Sequence, residues 1–121
     1  MTTTANLGIT KLNPGQASAH VTVNTAMDGF DASIAGRLAL ALSGASTSLT
    51  GAQSTNHILH VTSTTVATDL VVQAVPKSWI VVNDGGHAVT VKRSGQSGAP
   101  TVAAGHSAHL YCDGTDIRSI G

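Results

Sequence analysis

The chain has 121 residues, a formal net charge of zero, 10% charged residues and 2% aromatic residues. That length holds about one domain with a modest core, which gains from oligomerisation. The charge balance offers no basic patch for nucleic acid, and the scarcity of aromatics leaves Val, Leu, Ile and Ala to build the core.

Met1 to Ala5 is polar and reads as a mobile segment, or as one that orders only against a neighbour. Asn13-Pro14-Gly15 is a turn signal. His20 to Val23 alternates and predicts a short strand. Asn24 is placed to cap a short helix over about Thr25 to Ala35, on which Met27, Phe30 and Ile34 fall at i, i+3 and i+7, on one face. Gly29 and Gly36 keep that helix short. The single Phe is expected to anchor a core; the alternative is that Phe30 packs against another subunit. Met27, Phe30 and Ile34 are therefore the candidate assembly and docking residues.

Strict alternation of Leu38, Leu40 and Leu42 with Ala39 and Ala41, bracketed by Gly36 and Gly44, predicts a strand. Leu49 to Asn56 reads as a turn or loop, His57 to Thr62 as a strand, and Asp69 to Val75 as a strand ended by Pro76. From Trp79 to Thr115 the pattern is a meander. Trp79 to Val82 and Val89 to Val91 flank an Asn-Asp-Gly-Gly turn suited to positive φ, with further turns at Gly95 to Pro100, Ala104-Gly105 and Asp113-Gly114. About eight short strands without a strong internal repeat predict a mainly β protein. The expected form is an antiparallel β-sandwich or small jelly-roll-like barrel with one short N-terminal helix. The composition changes near Gly36, so residues 1–36 read as an attachment arm and 37–121 as the sandwich body.

Six histidines, His20, His57, His60, His87, His106 and His109, invite a test for metal sites. The pairs His57/His60 and His106/His109 are three apart, and on a strand such residues face opposite ways, so neither pair can chelate one ion. A ring of one histidine per subunit on a three-fold axis is the remaining metal arrangement; hydrogen bonding at a surface or interface is favoured. Cys112 and His109 face apart by the same rule and make no nucleophile–base pair. One cysteine excludes an intramolecular disulfide. The acids are six Asp with no Glu; Asp28 and Asp31 share the helix and read as solvated. There is no phosphate-binding Gly loop, no paired-Cys motif and no Gly-x-Ser-x-Gly elbow. No enzymatic activity, metal or cofactor is expected.

The run VVNDGGHAVTVKRSGQSGAPTVAAGHSAHLYCDGT, with its Val-x-Asn strand end, Thr-Val-Lys strand and Tyr-Cys-Asp-Gly-Thr ending, resembles a module common in bacteriophage virion proteins. LTGAQSTNHILHVTSTTVATDLVVQAV is similar to the segment that usually precedes it, and NLGITKLNPGQASAHVTVNTAMDGFDASI resembles another phage-associated element. The resemblance covers most of the chain. It implies a structural virion protein, self-assembling as a homotrimer in a tail fibre, spike or tail-associated position, and in contact with other virion proteins. A head decoration (cement) protein is the first alternative, suited to a short chain without a shaft repeat. An adhesin module that recognises a host-surface glycan is the second. The chain opens without a signal peptide and has no apolar run of the ~20 residues a membrane span needs, so assembly in a host cytoplasm is expected.

Overall fold

A computed structural model describes residues 3–11 and 19–120. Helix α1 spans Ala19–Ala35. It is followed by β1 (Arg37–Leu42), β2 (Ser46–Ser48), a one-turn helix α2 (Gly51–Ser54), β3 (Ile58–Thr64), β4 (Thr68–Val71), β5 (Lys77–Asn83), β6 (Val89–Lys92), β7 (Thr101–Val102), β8 (Ser107–Cys112) and β9 (Ile117–Ser119). The protein is mainly β, with two facing sheets, an N-terminal helix and no closed barrel, as the strand periodicity implies.

The chain alternates between the sheets. β1, β3 and β5 lie side by side in a five-stranded sheet of order β1-β3-β5-β8-β9, while β2, β4 and β6 do the same in a four-stranded sheet of order β2-β4-β6-β7. These pairings are parallel, and only β5–β8, β6–β7 and β8–β9 are antiparallel. The antiparallel sense expected for the whole sandwich therefore holds only at its C-terminal side. The first three strand pairs are successive coils of one winding path. Arg37, Ile58 and Ile80 are aligned laterally, as are Ser46, Asp69 and Thr90, so each coil takes 21 to 23 residues. This repeat is one of geometry; the residues that occupy it differ from coil to coil.

Alternation decides what each strand buries. Leu38, Leu59, Val81 and Ala108 form one inward rung, and Leu40, Val61 and Asn83 the next. Leu70 and Val91 face them from the second sheet, and Trp79, Val89, Leu110 and Ile117 belong to the same core. Each such fully buried aliphatic side chain is worth roughly 1.5–3 kcal/mol. Trp79 is the one aromatic in this core, and its indole N–H donates to Ser54 O at 2.8 Å. That bond ties α2 under β5. α2 itself replaces the expected loop, because Thr50 and Gln53 form a capping box around its first turn.

The Asn-Asp-Gly-Gly stretch is not a hairpin turn. β5 and β6 lie in different sheets, and the stretch carries the chain across the sandwich. The buried Asn83 side chain organises that crossing. Its amide donates to His87 O (2.8 Å) and Val102 O (3.0 Å), and its carbonyl accepts from Gly85 N (3.0 Å). Gly85 and Gly86 do not adopt positive φ. A Cβ on Gly85 would lie 2.8 Å from Thr64 Oγ1, so glycine is required there by the stacking of one crossing on the previous one. The turns at Gly95, Gly98, Gly105 and Gly114 do use positive φ.

Candidate assembly surface

The predicted strand at His20–Val23 is helix, and Asn24 lies inside α1 instead of capping it. The expected turn at Asn13-Pro14-Gly15 falls outside the described residues. α1 suits isolation poorly. Val21, Thr22, Val23, Thr25 and Gly29 all disfavour helix, and 17 residues is little above the length of about 12–15 below which even Ala-rich helices are marginal in water.

Among the described residues, two groups of contacts stand out in holding α1. At its C-terminal end Ala32 O accepts from Gly36 N (2.8 Å) and His57 N (3.1 Å), and Ser33 O lies 3.5 Å from Lys77 Nζ. Gly36 is buried at this joint. A Cβ there would stand 2.4 Å from Asn56 Oδ1 and 2.5 Å from Ala32 O. The second contact is Asp31, which the sequence reading left solvated. Its side chain is 1% exposed. It accepts from Thr4 Oγ1 (2.8 Å), Asn6 N (3.0 Å), Asn6 Nδ2 (2.7 Å) and Leu7 N (2.7 Å), while Thr3 and Thr10 bridge the two sides of this N-terminal loop. Thr4, in the stretch expected to be mobile or to order only against a neighbour, is thus buried on α1 of its own chain. Burial pushes the Asp31 carboxyl up, but the bonds from Leu7, Thr4 and Asn6 outweigh it, and the pKa lies below the ordinary carboxylate value. Asp28 pairs with Lys11 at 2.8 Å.

Phe30 does not anchor this chain's core: it is 65% exposed, and Ile34 is 61% exposed. Met27 is half-buried, and Val23, one turn earlier on the same face, is 41% exposed. Val23, Met27, Phe30 and Ile34 are spaced four, three and four, which is the heptad spacing of a helix–helix seam. Ala32, which contacts the body, lies on the opposite side of the helix. The docking residues read from the sequence therefore share one outward stripe. Val23 was missed because its segment resembled a strand; its signal was the same heptad spacing.

The histidines of the two-sheet body are dispersed. His60 lies between Arg37, which contacts Nδ1, and Asp84, whose Oδ2 is 2.6 Å from Nε2. His57 and His109 pack edge to face, and His87 faces Thr64. Among the described residues no three of His, Cys, Asp and Glu gather into a metal-binding group. Cys112 is buried and accepts a weak bond from Gly114 N, while His109 is exposed on the other face of β8, so the two face apart as strand geometry requires. No described helix is long and apolar enough to cross a membrane. The chain matches no family model, no curated protein and no solved structure.

Proposed function

We propose that the protein is a self-assembling structural subunit of a bacteriophage virion, a homotrimer in a fibre, spike or other tail-associated position, without enzymatic activity. The observation that carries this reading is the outward heptad stripe Val23-Met27-Phe30-Ile34 on a helix of weak intrinsic propensity. Such a stripe is covered when copies of the helix wind together. α1 then serves as the arm that gathers subunits, and the two-sheet body as the part each subunit presents. The resemblance of the Asn83 and Tyr111-Cys112-Asp113-Gly114-Thr115 stretches to phage modules supplies the virion and the three-fold expectation.

Sedimentation equilibrium at micromolar concentration tests assembly. Three times the 12.1 kDa chain mass is expected, and a stable monomer refutes it. Immunogold labelling of particles tests location. Label at the tail supports the fibre or spike reading, label spread over the head makes the protein a decoration subunit, and unlabelled particles refute the virion role.

A further inference from the structure

The six acids of the chain are all engaged. Asp28 pairs with Lys11, Asp69 with Lys92, Asp84 with His60, Asp113 with Arg118 and Asp116 with Arg93, while Asp31 holds the N-terminal loop. Arg37 rests on His60. Lys77 is left with no carboxylate in reach among the described residues. It is half-buried at the start of β5, with one long contact to Ser33 O (3.5 Å) and its ammonium 5.6 Å from the centre of the Trp79 ring. Burial lowers its pKa, as desolvation of an uncompensated cation does.

Lys77 lines a cleft of about 240 Å³ with Gly51, Ser54, Thr55, Gln73 and Val75. The other groups of the cleft are specific in what they offer. The Thr55 hydroxyl gives its proton to Gly51 O (2.9 Å), which leaves its oxygen lone pairs available as acceptors. Gln73 Nε2 donates to Leu49 O (3.3 Å), which leaves the amide oxygen as an acceptor and one N–H as a donor, and the Ser54 hydroxyl oxygen accepts from Gln73 N (3.4 Å). Val75, 46% exposed, supplies an apolar wall. The complement of one cation, two acceptors, one amide donor and one apolar wall is a small molecule with one carboxylate, two or more hydroxyl groups and a hydrocarbon face. The volume falls below the ~300–1,000 Å³ of drug-sized sites and suits a single ring.

We propose that this cleft binds an acidic monosaccharide of the uronic-acid class. The carboxylate meets Lys77, the ring hydroxyls donate to Thr55 and Gln73, and the C–H face lies on Val75.

The test titrates galacturonate, galactose and acetate separately into the full-length protein, and follows the backbone amides of Ser54, Thr55 and Gln73 by NMR. Galacturonate is expected to shift these amides saturably in the millimolar range. Galactose and acetate at equal concentration are expected to give much smaller shifts. Lys77→Met keeps most of the aliphatic stem over Trp79 and removes the charge, and is expected to weaken galacturonate binding about 10- to 100-fold. Equal shifts from galacturonate and galactose overturn the role of the ammonium. Equal shifts from acetate overturn the sugar and leave a bare anion site. Unchanged affinity in Lys77→Met, or no shift with any ligand, overturns the proposal. The comparison of the three ligands on the unmodified protein decides the matter even where the variant folds poorly.

Discussion

Replacing Asn83 with Ala is expected to be among the most damaging single changes in the body. Asn83 is fully buried and makes three hydrogen bonds, to His87 O, Val102 O and Gly85 N. At about 1 kcal/mol net per bond the loss is about 3 kcal/mol. Two of the backbone partners are buried, and leaving them without a partner raises the cost toward about 5 kcal/mol. Against a total stability of about 5–15 kcal/mol, this takes a large share. The midpoint of thermal unfolding is expected to fall by roughly 10–20 °C. Urea unfolding followed by tryptophan fluorescence reads the change directly, because Trp79 lies in the same strand. Asn83→Asp keeps an acceptor for Gly85 N but sets a carboxylate against two carbonyl oxygens, and is expected to cost at least as much. A loss below about 1 kcal/mol for Asn83→Ala, or a near-native Asn83→Asp, would show that the crossing is held by something other than this side chain.

Gly36→Ala places a methyl group against Asn56 Oδ1 and Ala32 O, and is expected to destabilise by about 1–3 kcal/mol in chemical denaturation; an unchanged midpoint means that the joint relaxes freely. Phe30→Ala is expected to change the stability of the single subunit by less than about 0.5 kcal/mol, because the ring is exposed, while abolishing the assembled species in sedimentation; a variant that unfolds instead places Phe30 in its own chain's core. Asp113, held at about 2 first by the backbone bonds of Asp116 and Thr115 and then by Arg118, has a folded pKa below its unfolded value. Its contribution, like that of Asp31, is full above the ordinary carboxylate pKa of about 4 and is lost as pH falls through the folded pKa. The thermal midpoint is therefore expected to drop between about pH 4 and 2, and less steeply in Asp113→Asn; identical acid profiles refute the role of that carboxylate.

Much of the strand content was legible in the residues. Leu38, Leu40 and Leu42 alternate with alanines, and Trp79, Val81 and Asn83 alternate with Ser78, Ile80 and Val82; period two places one set inside whatever the strand pairs with. The sense of pairing was not legible, because a compact Gly-containing link such as Asn83 to Gly86 serves a hairpin and a crossing between sheets equally well. Local chemistry sets the bend; the facing sheet sets where the chain goes. The helical stripe was legible in Met27, Phe30 and Ile34, but its exposure was not, since an aromatic on an apolar face reads the same whether its own chain or another covers it. Asp31 and Lys77 left no signal at all. The partners of Asp31 lie 24 to 27 residues upstream, and the cleft beside Lys77 is assembled from two segments some 20 residues apart in the chain.

The parallel coils carry a consequence for how such a chain can change length. Each coil enters and leaves at equivalent points, so gaining or losing a whole coil of 21 to 23 residues keeps every inward side chain inward. A shift of one residue inside a strand turns its apolar set outward. All four outer strands have a neighbour on one side only, but β7 and β9 close the C-terminal side with antiparallel pairing that breaks the winding, whereas β1 and β2 pair in parallel and form the outer edge of the first coil. The body thus has a finished end and an extendable one, and the extendable end is where β1 continues directly from α1.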